Sequence, residues 1–279
     1  MDPNSTKSIR IVNHLPNIED VRLIATDFDG TLANSKGQVS ERTRAALAVL
    51  AKANIEFVVI TGRPPRYCNS IVDQTQIPTR LICANGALSY DPLKGTIEQF
   101  ATINLLVAID LIEETRRHSP DAAFSAEMGT EFVAEGKWLE LAGRPLEENI
   151  RDIIPYLNHQ VHKLLVNIPG QSPDSTINSL SEIWGPRVNP THAGLPFVEL
   201  MPPGIDKAFG LQRLCNEKGI DSSSVIAFGD MPNDNAMLAW AGWGIAMANA
   251  HKETLLIANE TTDSNIDDGV AVALEKLFS

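Results

Sequence analysis

Asp27 and Asp29 lie two residues apart in Asp27-Phe28-Asp29-Gly30-Thr31, and far downstream Gly229-Asp230-Met231-Pro232-Asn233-Asp234 supplies two more carboxylates. A carboxylate can attack phosphorus and split a hydrolysis into two easier steps. A second carboxylate one strand repeat away can move the protons. Carboxylates that share a site raise one another's pKa and resist burial unless a cation neutralises them. An all-oxygen set with room for water suits Mg²⁺, which keeps part of its hydration and bridges to phosphate. On this reading Asp27 is the nucleophile and Asp29 the acid and base. Thr61 and Lys207 hold the transferring phosphoryl group, Asp230 completes the metal shell, and Asp234 orients the lysine or a metal-bound water. Monoester hydrolysis calls for accelerations toward 10²¹-fold, about 28 kcal/mol, so these groups must act together.

Positioning them requires strands that end at one edge. Val21 to Thr26, Glu56 to Ile60, Leu81 to Ala84 and Val225 to Phe228 are short apolar, β-branched runs. Each stops at polar residues: Asp27 and Asp29, Thr61-Gly62-Arg63, Asn85-Gly86, and Asp230 with Asn233 and Asp234. Helical segments fall between them, one over residues 41–53 that Ser40 can cap and one over 207–218, so the pattern predicts βαβ units and a parallel sheet. Ligands bind beyond the carboxyl ends of such strands. Residues 244–247 read as the last strand and 269–278 as a closing helix. Between residues 89 and 199 the texture changes. Helices are expected over 103–118, 149–159 and 171–184, a hairpin around Gly129, a strand over 161–168, and two strands between Arg187 and Met201. The fold expectation is therefore α/β: a doubly wound, Rossmann-like parallel-sheet core of residues 1–88 and 200–279, with an inserted α+β domain over 89–199.

The chain of 279 residues is long enough for two such domains, and 43% hydrophobic with 21% charged residues is ordinary globular usage. A net charge of -12, from 23 Lys+Arg against 35 Asp+Glu, opposes general binding to nucleic acid or an anionic membrane. Cys68, Cys83 and Cys215 are too widely spaced for a disulfide framework or a zinc site. The first twenty residues lack the apolar run of a secretion signal, and no stretch is long enough to span a membrane, so the expectation is a cytoplasmic protein. The Asn4-Ser5-Thr6 and Asn259-Glu260-Thr261 tripeptides then carry no sugar. A calcium loop opening at Asp27 fails at its twelfth position, Gln38. Gly242-Trp243-Gly244 lacks the third glycine of a dinucleotide loop, with Met247 in its place. His14, His118, His159, His162, His192 and His251 show no ligand spacing, and Trp184, Trp240 and Trp243 read as packing residues.

The ordered set of Asp27-Phe28-Asp29-Gly30-Thr31, Thr61-Gly62-Arg63, Lys207 and Gly229-Asp230-Met231-Pro232-Asn233-Asp234 resembles the four motifs of the haloacid dehalogenase superfamily. The insertion between the second and third motifs is similar to the class IIB cap of Cof-type sugar-phosphate phosphatases. The resemblance runs from Val21 to Phe278. It implies a Mg²⁺-dependent phosphatase of small phosphorylated metabolites, sugar phosphates above all, working through a phospho-aspartyl intermediate on Asp27. It also implies metal ligation by Asp27, Asp230 and the Asp29 backbone carbonyl, with Asp234 supporting the metal shell. Substrate contacts would come from Thr61, Gly62, Arg63, Lys207 and Asn233, with Asn85-Gly86 beside the site. A phosphomutase or phosphotransferase would use the same phospho-Asp27 with another acceptor. A signalling receiver also gathers aspartates, a threonine and a lysine around Mg²⁺, but Asp29 would speed loss of the phosphoryl group and the cap-sized insertion has no role in a switch. Lys163, Glu127 and Met128 are candidates to face the site from the cap, with surface or packing roles as the alternative. Oligomeric state and the particular substrate are not written in the sequence.

Overall fold

Leu23–Thr26 is buried along its whole length, which is why it reads as an unbroken apolar run and not as an alternating one. In the computed structural model, which describes residues 16–146 and 149–279, this strand lies inside a five-stranded parallel sheet. Val225–Gly229 pairs on one side and Glu56–Val59 on the other, with Thr26 opposite Phe228 and Val59. Trp243–Ala246 and Glu260–Thr261 complete the sheet beyond Val225–Gly229. The Asn4-Ser5-Thr6 tripeptide and His14 lie outside the described residues.

The flanking helices follow from their caps and spacing. Ser40 Oγ accepts from Thr43 N at 3.0 Å, and Thr43, Ala46, Leu47 and Leu50 bury one face of Glu41–Lys52. Asp206 caps Lys207–Lys218 by accepting from Phe209 N at 2.8 Å, and Gly219 ends that helix in the left-handed conformation. The start of this helix approaches Gly86 so closely that a Cβ there would lie 2.0 Å from Asp206 O. Gly86 has φ +95°, so it is needed both for the turn and for the approach that brings Lys207 to the sheet edge.

A second, antiparallel sheet is ordered Glu131–Ala134, Ala123–Met128, Val161–Asn167, Val198–Met201, Asn189–Thr191. Helices Leu105–His118 and Pro173–Trp184 pack on it around Ile112, Phe124, Leu164, Trp184 and Leu200, an apolar cluster apart from that of the parallel sheet. Trp184 is a packing residue, its Nε1 donating to Thr115 Oγ1 at 3.0 Å. This is a Rossmann-like α/β core with an added cap.

Three expectations need correction. Residues 149–159 do not form an α-helix; only a 3₁₀ turn, Ile154–Tyr156, is present. Pro155 cannot continue a helix, and Asp152 Oδ1 takes the Ile154 N–H at 3.1 Å as a local turn. Leu81–Cys83 meets the parallel sheet only through a bridge between Ile60 and Ile82. Ala84 and Asn85, both at positive φ, and Gly86 reverse the chain, so Leu81–Cys83 pairs antiparallel with Leu88–Asp91, which pairs in turn with Thr96–Gln99. The strand expected over 244–247 runs Trp243–Ala246 and is not the last, because Glu260–Thr261 adds beyond it in a segment too short and polar to show a period.

His162, fully buried in Val161–Asn167, accepts from Gly129 N at 3.1 Å through Nδ1, while its Nε2 has no partner among the described residues. Burial first, and the adjacent Lys163 next, lower its pKa from 6.5 to about 3. Between those values the unfolded chain binds more protons than the folded one, so stability rises with pH there. Stability is therefore expected to be fully retained above about pH 6.5 and to fall as pH drops toward 3, by at most about 1.4 kcal/mol per unit from this group. Urea midpoints at pH 7.5 and 5 should differ less for His162→Gln than for the parent; an equal difference would assign the acid sensitivity elsewhere.

Candidate active site

The carboxyl ends of Leu23–Thr26 and Val225–Gly229 are adjacent, so the residues that follow them meet. Lys207, with 0% exposure, reaches between two carboxylates: its Nζ donates to Asp27 Oδ1 and to Asp234 Oδ1, each at 2.6 Å. Asp234 Oδ2 accepts the backbone N–H groups of Asp230 and Met231, both at 3.0 Å, which locks the loop after the strand. Asp230 Oδ1 accepts from Thr31 Oγ1 at 2.7 Å. Gly30 (φ +78°) backs this contact; a Cβ there would lie 2.4 Å from Asp230 Oδ2.

One buried ammonium does not balance three buried carboxylates. Burial, ahead of any neighbour, pushes the Asp27 carboxyl well above the usual carboxylate range; Lys207 pulls it down, while Asp234, Asp230 and Asp29 push it up. Asp230 is raised to about 7 by burial and then by Asp234. Burial acts to lower Lys207, but Asp234 and Asp27 outweigh it and leave its pKa above the ordinary lysine value. One oxygen from each of Asp27, Asp230 and Asp234 can be chosen so that all lie within 4.8 Å of one another. Both Asp234 oxygens are engaged, whereas Asp27 Oδ2 has no donor among the described residues and Asp230 Oδ2 has only Asn249 Nδ2, at 3.5 Å. Excess negative charge, all-oxygen donors and two under-used carboxylate oxygens fit a hard divalent cation.

The remaining expected residues surround this cluster. The Asp29 carboxylate stands apart from it, 51% exposed and held by Arg63 through Nε at 2.7 Å and Nη2 at 2.6 Å. Thr61 is buried, its hydroxyl accepting from Arg63 N at 3.1 Å. Asn233 Nδ2 donates to Asn85 Oδ1 at 3.1 Å, beside Gly62. Asp27, Asp29, Gly62, Arg63 and Asn233 all border a cavity of about 440 Å³ between the parallel sheet and the cap. The cap lines it with the apolar Phe132, Leu165, Leu195 and Phe197 and with the charged Glu127, Arg144, Lys163 and Glu199.

Of the three cap candidates, Lys163 and Glu127 face this cavity and Met128 is packed in the cap core. Glu127 forms a two-pronged ion pair with Arg66. Lys163 Nζ donates to Gly62 O at 2.8 Å and to Glu199 Oε1 at 2.6 Å. Sequence reasoning passed over Thr31, Asn249 and Glu199. The available signal for Glu199 was a charge inside an otherwise apolar strand, Val198-Glu199-Leu200-Met201.

The spacing of the histidines shows no ligand pattern, yet two of them meet at Asp174. His192 Nε2 lies 2.9 Å from Asp174 Oδ1 and His251 Nε2 3.4 Å from Asp174 Oδ2. Each Nδ1 accepts a backbone N–H, from Gly194 and Glu253, so the Nε2 atoms carry the protons and the trio is a hydrogen-bonded tie between cap and core.

The family profile of haloacid dehalogenase-like hydrolases matches residues 24–274, so the chain belongs to that family. It is a phosphatase of the Cof type, and the named relatives agree. It is 28% identical over 263 residues to the 5-amino-6-(5-phospho-D-ribitylamino)uracil phosphatase YitU of Bacillus subtilis, spanning 92% of this chain and 97% of that one. It is 30% identical to phosphatase YwpJ of the same organism, spanning 92% of this chain and 100% of that one. A solved haloacid dehalogenase-like hydrolase from B. subtilis matches with TM-score 0.79 and 25% identity, covering 91% of this chain and 99% of that one. Members of this superfamily typically use a divalent metal, which accords with the carboxylate cluster.

Proposed function

We propose that the protein is a Mg²⁺-dependent phosphatase of small phosphorylated metabolites that works through phospho-Asp27. The observation that carries this reading is the buried Asp27–Lys207–Asp234–Asp230 cluster, whose Asp27 borders a cavity large enough for a leaving group. Asp27 attacks phosphorus as the ester bond breaks, and Asp29, having taken a proton from solvent once Arg63 releases it, gives that proton to the leaving oxygen. Arg63 must first release Asp29, and the arriving phosphate dianion is the competing partner for its guanidinium. Asp29 then takes a proton from the water that attacks phosphorus, which frees phosphate and restores Asp27. Lys207 holds Asp27 in place, while Thr61, Gly62 and Asn233 hold phosphoryl oxygens. Asp27, Asp230 and the Asp29 carbonyl would hold Mg²⁺, supported by Asp234, and the ion would draw charge from the phosphoryl oxygens.

The substrate reading is a phosphorylated sugar or sugar alcohol. The apolar side chains in the cavity lining, Phe132, Leu165, Leu195 and Phe197, favour one that also carries a ring, as does the ribitylamino-uracil phosphate in YitU's name. The division into a core of residues 1–88 and 200–279 and a cap of 89–199 is supported by the separate apolar cluster of the second sheet. The hairpin of 88–99 pairs with Leu81–Cys83 and connects the two along the chain. A cytoplasmic location is supported by three free, buried cysteines, and the charge of -12 disfavours nucleic acid. Among the described residues no helix is long and apolar enough to cross a membrane.

The test is phosphate release from a panel of phosphorylated sugars, sugar alcohols, nucleotides and ring-bearing cofactors, with Mg²⁺ and after chelation. Release from at least one ester should fall to background with a chelator and return with added Mg²⁺. Chelator-insensitive release, or isomerised ester in place of free phosphate, would contradict it.

A further inference from the structure

We propose that Glu199 is a positioning residue: from the cap and through the Asn85 amide, it determines which end of the Asn233 amide faces the phosphate-binding side of the cavity. This rests on the phosphatase reading above. The two ends of an amide differ little in shape, so only their hydrogen-bond partners set their direction. An ionised carboxylate accepts and never donates. Glu199 Oε2 takes an Asn85 Nδ2–H at 2.7 Å, and Met201 Sδ, a weaker acceptor, lies 3.7 Å from the same nitrogen. Asn85 Oδ1 is thereby turned the other way, where it accepts from Asn233 Nδ2 at 3.1 Å. That contact uses one of the two Asn233 N–H groups. The second remains for a phosphoryl oxygen, while Asn233 Oδ1 is buried without a partner among the described residues. Reversed, Asn233 would present lone pairs to an anion.

The relay is built to hold one state. Asn85, Asn233 and Glu199 are buried, and Asn85 has φ +50°, an uncommon backbone conformation that persists only where the surroundings enforce it. Glu199 is itself fixed, because Lys163 from the neighbouring strand donates to its other oxygen and to Gly62 O. The acceptor that orients two core amides thus comes from the cap sheet, so seating the cap completes the donor set.

Glu199→Gln keeps shape but offers Asn85 both a donor and an acceptor, so both amide orientations become available. With the best ester and saturating Mg²⁺, kcat/KM should fall about tenfold to a hundredfold and inhibition by inorganic phosphate should weaken by a similar factor. The melting temperature and the Mg²⁺ half-saturation should stay near those of the parent. The decisive comparison is Glu199→Gln with Asn85→Asp. The acceptor-only group then moves one place along the relay: the amide introduced at position 199 can donate to residue 85 and accept from Lys163, and residue 85 still accepts from Asn233. Most of the lost phosphate inhibition and kcat/KM should return. Parent-like values in Glu199→Gln, or no recovery in the double variant, would overturn the proposal. Should the single variant not fold, the double variant alone decides: retained phosphate inhibition supports the relay and its loss refutes it. A parent enzyme that releases no phosphate from any ester would instead be a failure of the phosphatase reading.

Discussion

Asp27→Asn leaves a folded protein whose kcat falls by about 10⁴-fold or more for every phosphate ester the parent hydrolyses. The amide has nearly the shape of the carboxylate, and its oxygen can still accept from Lys207, which now lies 2.6 Å from Asp27 Oδ1. What is lost is the oxygen that attacks phosphorus. The fold should not suffer, because burial already pushes the Asp27 carboxyl well above its usual range and the substitution removes one charge from an over-acidic cluster. The metal-free variant is therefore expected to melt at or above the parent's temperature. Phosphate release and a thermal melt, measured side by side, check both halves. Activity within tenfold of the parent would show that another group bonds to phosphorus.

Lys207→Ala acts in the opposite direction on stability. Lys207 has no exposed surface, and it is the ammonium between Asp27 and Asp234, so its removal leaves buried carboxylates facing one another. Breaking a buried pair by deleting one partner costs about 3–5 kcal/mol, which a shift in the urea midpoint of the metal-free protein would report. Activity should fall by about 10²–10³-fold as well, because Asp27 loses the donor that orients it and the phosphoryl group loses a cation. Added Mg²⁺ should recover part of the stability, since it too neutralises the carboxylates, but not the activity. Lys207→Met, which fills the space without the charge, separates packing from electrostatics. An unchanged midpoint in both variants would mean that Lys207 does not balance the cluster.

These two residues also show how much of the site is legible in the sequence. Leu23–Thr26 and Val225–Gly229 are buried on both faces, so their apolar runs and the polar residues ending them were visible as strands and loops. Lys207 gave no local sign of burial. Its place followed only from a helix that starts beside those loops. Asp29 looked equivalent to Asp27 by spacing, yet Arg63 draws its carboxylate to the cavity rim. That pairing depends on how the turn after Thr61 is aimed, which no periodicity encodes. Glu199 and Asn85 are 114 residues apart in sequence, and the Asp174–His192–His251 tie joins three separate segments. Such contacts arise from the docking of cap on core, for which the sequence carries charges in apolar strands as hints but no partners. The absent helix at 149–159 is a case of local chemistry, Asp152 and Pro155, outweighing an apolar pattern.

The most direct test of the central claim is the mass of the peptide containing Asp27 after acid quenching during turnover of the best ester with Mg²⁺. The account requires a fraction of that peptide to carry one phosphoryl group on Asp27, and requires Asp27→Asn to carry none. A quenched enzyme that turns over substrate with the phosphoryl group on a different residue would contradict it, as would no trapped phosphoryl group in Asp29→Asn given a saturating aryl phosphate, whose leaving group needs no acid while breakdown of the phospho-enzyme is slowed.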